Sequence, residues 1–195
     1  MKRILFASHN DHKVAEIRLM LPQGFSLLSL RDINWTTDIP EPFETYEENA
    51  IAKAQLLFNQ TGLSCFADDS GLEVEALDGR PGVFSARYAG IERDSQNNIK
   101  KLLSELSDVP DRKASFHSVI AYVDDISGIH IFKGKVDGII TKKQFGNGGF
   151  GYDPVFIPEG FHQTFGELSE LVKNRISHRA IAMKKLVSFL QFLNK

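Results

Sequence analysis

Three short apolar runs, Lys2 to Ala7, Phe25 to Leu30 and Leu63 to Ala67, are separated by two stretches with helical spacing. An early strand–helix alternation restricts a chain to layered α/β architecture, because each helix must bury its apolar stripe on the sheet the strands form. Asn10 is an N-cap candidate for a helix from Asp11 to about Leu21, with Val14, Ile17 and Leu21 on one face and Pro22 closing it. The loop Asn34 to Glu44 contains Pro40 and Pro42. It leads to Thr45-Tyr46-Glu47-Glu48, whose capping-box spacing opens a helix carrying Ala50, Ala54, Leu57 and Phe58 and ending near Gly62. Leu72 to Ala76 alternates and reads as a further short strand. Asp78-Gly79, Pro81-Gly82 and Ala89-Gly90 mark an irregular connection. Ser95 to Leu106 is amphipathic, with Asp94 as its cap. Ala114 to Val123 and Ile129 to Val136 flank Ser127-Gly128, a hairpin signal. A strand over Asp153 to Ile157 and a last helix from about Ser177 towards Leu193 complete the pattern. The expectation is a mixed sheet with helices on both sides, formed by residues 1–195 as a single domain.

Composition narrows the function classes. A net charge of −2 and a pI near 6.3 give no basic footprint for nucleic acid, so any polyanionic ligand must be bound by a local site. The one cysteine, Cys65, fits a reducing cytoplasm and a small buried residue. Ile4 to Ala7 is too short for a signal-peptide core, and no apolar run is long enough to span a bilayer. The six histidines show no paired zinc-ligand spacing, and neither a Gly-x-Ser-x-Gly elbow nor a cysteine-nucleophile context occurs.

Four segments carry groups suited to chemistry. In Phe66-Ala67-Asp68-Asp69-Ser70-Gly71 an apolar strand runs out into two adjacent carboxylates, which repel unless a cation neutralises them. With Glu41 and Glu44 upstream, the acids suit magnesium, which takes one or two carboxylates together with phosphate oxygens and water; turn formation is the common alternative for an Asp-Asp pair, and the apolar lead-in Leu63 to Ala67 with Ser70-Gly71 after it favours a site. Ser8-His9-Asn10-Asp11-His12-Lys13 offers backbone N–H groups, a positive helix end and a lysine to a phosphate, or else simply caps a surface helix. Gly149-Phe150-Gly151-Tyr152-Asp153-Pro154 permits close backbone approach and stacking on a base, or is a glycine-rich turn. Lys173-Asn174 with Ser177-His178-Arg179 sets basic residues at a helix start, against the macrodipole. Binding an acceptor-rich ligand accounts for that, as do two solvated side chains.

Taken together, these segments resemble the inosine/xanthosine triphosphate pyrophosphatase family, the non-canonical purine NTP pyrophosphatases or dITP/XTP diphosphatases. The match runs from Ala67-Asp68-Asp69-Ser70-Gly71-Leu72-Glu73-Val74 through Pro81-Gly82-Val83-Phe84-Ser85-Ala86-Arg87-Tyr88-Ala89-Gly90. Phe150-Gly151-Tyr152-Asp153-Pro154, Thr164-Phe165-Gly166-Glu167-Leu168 and Lys173-Asn174-Arg175-Ile176-Ser177-His178-Arg179 follow in the same order. The resemblance implies an elongated mixed α/β fold with two lobes and a central substrate cleft, usually as a homodimer. It implies hydrolysis of ITP, dITP or XTP to the monophosphate and pyrophosphate with Mg2+, cleansing the nucleotide pool. By position, Ser8, His9, Asn10, Asp11, His12 and Lys13 would hold the phosphates, Glu41 and Asp69 the metal, and Ser70 the substrate. Phe150, Gly151, Tyr152, Asp153, Lys173, His178 and Arg179 would line the base and sugar end. Asp69 is the candidate base, and the role of Asp68 is left open. Where the family usually has Thr-Gly-Asn, this chain has Ser8-His9-Asn10, so the turn must avoid glycine-only dihedrals at His9 or direct its ring outward. A pyrophosphatase for other modified nucleotides and a non-catalytic nucleotide sensor are the competing readings.

Overall fold

The computed structural model describes residues 1–193. Lys2–Phe6 (β1), Phe25–Ser29 (β2), Cys65–Val74 (β3), Lys113–Asp124 (β4), Gly128–Ile140 (β5) and Phe156–Pro158 (β6) hydrogen-bond in the order β2-β1-β3-β4-β5-β6. β1 pairs parallel with β2 and β3, whereas β5 and β6 pair antiparallel, so the sheet is mixed as expected. The helices are Asp11–Arg18 (α1), Tyr46–Thr61 (α2), Ser95–Glu105 (α3), Glu170–Ile176 (α4) and His178–Phe192 (α5).

Three helix starts follow the local signals. The Lys13 N–H donates to Asn10 Oδ1 at 3.2 Å, the Glu48 N–H to Thr45 Oγ1 at 3.2 Å, and the Asn97 N–H to Asp94 Oδ1 at 2.7 Å. Each satisfies a donor that the first helical turn leaves open. Gly62 ends α2 at a φ of 64°, its N–H on the Phe58 carbonyl at 2.8 Å. Three elements besides β3 differ from expectation. α1 stops at Arg18 rather than near Leu21, α4 is an additional short helix, and the segment read as a strand from Asp153 begins as a 3-10 turn, Asp153–Val155.

The chain forms two compact units. The first comprises Met1–Asp69, Ser118–Gly134 and the residues from Arg179 onward; the second comprises Ser70–His117 and Lys135–His178. Within the first unit the pleat sorts side chains between two cores. Ile4, Phe6, Phe66, Ile120 and Tyr122 pack with Val14 and Ile17 of α1 and with Met183, Leu186 and Leu190 of α5. Leu5, Ala7, Cys65, Ala67, Val119 and Ala121 pack instead with Ala50, Ala54 and Leu57 of α2. Helices therefore cover both faces, and the period-2 alternation of each strand decides which helix a residue meets. In the second unit, Leu72, Val74, Phe116, Ile140, Val155, Phe156 and Phe165 pack with Ile99 and Leu102 of α3.

β3 departs most from the sequence expectation. One strand of 10 residues runs through Asp68, Asp69 and Ser70, where two short strands with the acids between them were expected. The carboxylates do not terminate the strand because side chains from the flanking helices satisfy them there.

Candidate active site

The pleat turns Asp68 and Asp69 to opposite faces of β3, so the two carboxylates have separate partners in the first unit. Asp68 follows Phe66 to the α1 and α5 face. Lys13 Nζ lies 3.0 Å from its Oδ1 and 2.9 Å from its Oδ2, and Arg179 Nε donates to Oδ2 at 3.1 Å. Arg179 Nη1 also donates to Glu16 Oε2 at 2.7 Å, and the arginine is only 2% exposed. Burial disfavours charge on Asp68, yet Lys13, Arg179 and Lys53 together hold its carboxyl well below the usual carboxylate range. Burial likewise opposes the Arg179 charge and is outweighed by Asp68 and Glu16, whereas for Lys13 burial prevails and lowers the ammonium pKa.

Asp69 follows Ala67 to the α2 face. Asn49 Nδ2 donates to its Oδ2 at 3.1 Å, and Lys53 Nζ lies 3.5 Å from its Oδ1. The same ammonium donates to Glu41 Oε1 at 2.6 Å and to the Asp68 backbone carbonyl at 2.8 Å. Asn49 also clamps the proline-rich loop, exchanging hydrogen bonds with the Phe43 N–H and carbonyl at 3.0 Å each, which holds Glu41 near α2. Asp69 titrates in the opposite sense to Asp68. Burial pushes its carboxyl above the ordinary value, Glu41 and Asp68 add to that, and Lys53 and Lys13 offset it only in part. Burial also disfavours charge on Lys53, but Asp69, Glu41 and Asp68 outweigh it and raise the lysine. A carboxylate with a raised pKa beside two lysines is suited to taking a proton close to bound anions.

The turn before α1 lies beside these groups in sequence and satisfies its own backbone: the Asn10 N–H donates to Ser8 Oγ at 3.1 Å. His9 is not among the described non-glycine residues with positive φ, and its Nε2 lies 3.1 Å from the Thr37 carbonyl. The imidazole is thus accommodated without a glycine-only conformation. Asp11 pairs with Arg31 at 2.8 Å on the surface, and His12 is exposed.

The second unit holds the downstream candidates. Asp153 Oδ2 accepts from the Phe150 N–H at 2.7 Å and from Lys173 Nζ at 2.7 Å in an ion pair buried on both sides. Lys173 Nζ also stands 4.6 Å from the centroid of the Phe150 ring. The His178 ring stacks on Phe116 at 4.7 Å with planes 10° apart. Tyr152 is buried and donates its hydroxyl to the Ser85 carbonyl at 2.9 Å, and Gly151 has a φ of 60°. Ser70 opens this unit half-buried on β3, and His178 closes it, the next residue Arg179 belonging to the first unit. The glycine at 149 is required by contact as well as by dihedral. At a φ of 72°, an added Cβ would lie 2.1 Å from Asp153 Oδ2. Gly149→Ala is therefore expected to displace the Asp153 carboxylate and lower stability by about 2 kcal/mol or more, read as a shift in the urea unfolding midpoint.

Sequence reasoning passed over Lys53, Asn49 and Glu16. The first two carry a legible signal. α2 buries Asn49, Ala50, Lys53, Ala54 and Leu57, one helical stripe, and an amide and a lysine on such a stripe need buried partners. Glu16 carries none, because its partner Arg179 is 163 residues away.

With this geometry in view, comparison with known proteins is decisive at the level of family. The sequence model of the Ham1 family matches residues 4–189. The chain belongs to the Ham1 family. A relative from Porphyromonas gingivalis named dITP/XTP pyrophosphatase is 51% identical, covering 97% of this chain and 98% of its own. One of the same name from Bacillus subtilis is 43% identical and covers 98% of each. A solved HAM1 protein from Coxiella burnetii has a TM-score of 0.90 at 40% identity, covering 98% of this chain and 99% of that one. The Staphylococcus aureus Ham1 protein has a TM-score of 0.89 at 38% identity over 97% and 98%. The α/β fold expected from the sequence is thus shared with solved Ham1 proteins.

Proposed function

We propose that this Ham1-family chain hydrolyses the non-canonical purine nucleoside triphosphates dITP, ITP and XTP to the monophosphate and pyrophosphate, clearing them from the nucleotide pool. The names of its relatives support the substrate class. The observation that carries the reaction is Asp69, a buried carboxylate with a raised pKa set among Lys53, Lys13 and Glu41. In this reading Asp69 takes a proton from a water as that water's oxygen bonds to the α-phosphorus. The bridging α–β bond breaks, and pyrophosphate leaves with the electron pair. Lys13, the Ser8–His12 turn and the start of α1 bind the phosphate tail, and Ser70 contacts the substrate.

The donor set fits the magnesium the reaction class uses. Among the described residues no three His, Cys, Asp or Glu side chains are grouped to hold an ion by themselves. Glu41 and Asp69 share one cation in Lys53, which suits an ion that takes two carboxylates and completes its shell with phosphate oxygens and water. Glu41 and Asp69 would hold the ion, and the chemistry it would supply is neutralisation of negative charge on the triphosphate and on the departing pyrophosphate.

For the base, Phe150 offers a ring face, Gly151 and the Lys173–Asp153 pair shape its surroundings, and Tyr152 braces them through Ser85. His178 presents a ring N–H to the six-keto oxygen that inosine and xanthosine share. An adenine amino group there leaves that donor unmatched, at a cost of about 1–3 kcal/mol. Arg179, paired with Asp68 and Glu16, supports the phosphate end in preference to reading the base. The working form in this proposal is a cytoplasmic homodimer, and the free, buried thiol of Cys65 accords with a reducing compartment. No helix among the described residues is long and apolar enough to cross a membrane.

Incubation with dITP and Mg2+ tests the reaction directly. Equal amounts of dIMP and pyrophosphate are expected, with far slower turnover of dATP. Orthophosphate without pyrophosphate overturns the cleavage site, and comparable dATP turnover overturns the substrate class.

A further inference from the structure

Glu41 and Asp69, the two carboxylates assigned to the metal, already share a cation. The Lys53 ammonium lies 2.6 Å from Glu41 Oε1 and 3.5 Å from Asp69 Oδ1, and a third contact, to the Asp68 carbonyl at 2.8 Å, fixes its position. Its side chain is only 6% exposed. Magnesium is bound through carboxylate oxygens, so a dication held by Glu41 and Asp69 would compete with this ammonium for the same two side chains. A dication added with Lys53 in place would also turn the net charge of Glu41, Asp69 and Lys53 from negative to positive. A triphosphate arriving with the ion reverses that imbalance and offers the ammonium new oxygens.

We propose that Lys53 is a resident counter-cation that keeps divalent metal out of the nucleotide-free enzyme and yields the two carboxylates only when a triphosphate takes over its ammonium. The proposal rests on the assignment of Glu41 and Asp69 to the metal. Lysine suits the task, because its point charge rides on a flexible four-carbon stem that can swing while the α2 backbone stays fixed. Asn49, one helical turn earlier, keeps its hold on Asp69 and on the Phe43 backbone, so the carboxylates stay near one another when Lys53 leaves. Metal and nucleotide then bind with positive coupling, each strengthening the other by the same factor.

Mn2+ is the probe, its free concentration followed by electron paramagnetic resonance in the absence of nucleotide. Wild type is expected to bind it weakly, Lys53→Met about tenfold or more tightly, and Lys53→Arg as weakly as wild type. Equal affinity in wild type and Lys53→Met overturns the proposal. Thermal unfolding checks that each variant is folded. A second measurement needs no charge-removing substitution. In 15N-lysine-labelled wild type, the Lys53 15Nζ signal, assigned by its loss in Lys53→Arg, should stay in place with Mg2+ alone. It should move when Mg2+ is added with a non-hydrolysable α,β-imido dITP. Movement with Mg2+ alone overturns the proposal. Pyrophosphate release from dITP is assayed in parallel. Its absence from wild type would sink the catalytic reading, while the Mn2+ comparison still decides whether Lys53 excludes metal.

Discussion

Asp69→Asn is expected to lower kcat for dITP by about 10²-fold or more, the usual contribution of a positioned general base. The substitution keeps the shape of the side chain and an oxygen that can accept from Asn49. Lys53 retains Glu41 at 2.6 Å and the Asp68 carbonyl at 2.8 Å, so the surroundings of the variant are preserved. Measurement at saturating Mg2+ separates loss of the base from weaker metal binding, because only the latter is recovered by more metal. The pH profile adds a second criterion. Asp69 must be ionised to accept a proton, and burial, with Glu41 and Asp68, raises its pKa. The acid limb of kcat/KM in wild type should therefore lie above the ordinary carboxylate range, with activity falling as pH falls through it. In Asp69→Asn the limb should vanish with the bulk of the activity. Near-normal turnover, or an unchanged acid limb, would remove Asp69 from the role.

Asp68→Ala is expected to act on folding. It strips the carboxylate from Arg179 and Lys13, whose side chains are 2% and 15% exposed, and leaves buried cations without their main counter-charge. Breaking one side of a buried pair costs about 3–5 kcal/mol, which chemical denaturation reads directly. The sign of the pH dependence follows from the depressed pKa of Asp68. Its contribution is fully present above the unfolded-state value of 3.8 and is lost as pH falls through the lower folded-state value. The gap between wild type and Asp68→Ala should therefore be widest near neutrality and narrow on strong acidification. Asp69 is linked the other way. Its folded-state pKa is raised, so ionisation of Asp69 weakens the fold as pH rises through that value, and Asp69→Asn is expected to be no less stable than wild type at neutral pH. Adjacent residues thus divide the work. Asp68 is ionised at a gain in stability, whereas ionisation of Asp69 comes at a loss.

The parts of the fold that were legible in the sequence rest on local physics. Asn10, Thr45 and Asp94 each cap the helix their spacing announced, and the hairpin between β4 and β5 turns at the expected place, because these features depend on residues a few positions apart. By its apolar pattern β3 divides into two strands, because two acids interrupt it. The reason they are tolerated comes from Lys13, Lys53 and Arg179, which no window of neighbouring residues contains. α4 escaped notice for a similar reason. It has seven residues, and its buried Lys173 is accounted for only by the ion pair with Asp153. The candidate site shows the same division. Residue types suited to phosphate, metal and base were visible as motifs. The assignment of Arg179 to Asp68, and of Lys53 to Glu41, depends on tertiary contacts.

The opposite facing of Asp68 and Asp69 also bears on how this gene can change. Side chains on a strand alternate strictly, so a register slip of one residue reverses every face. A single codon inserted in frame between Cys65 and Phe66 would turn Asp68 toward α2 and Asp69 toward α1 and α5. It would exchange the Phe66 and Ala67 core positions in the same step. In this segment the length of the strand, as well as its residue types, is tied to the packing on both of its faces.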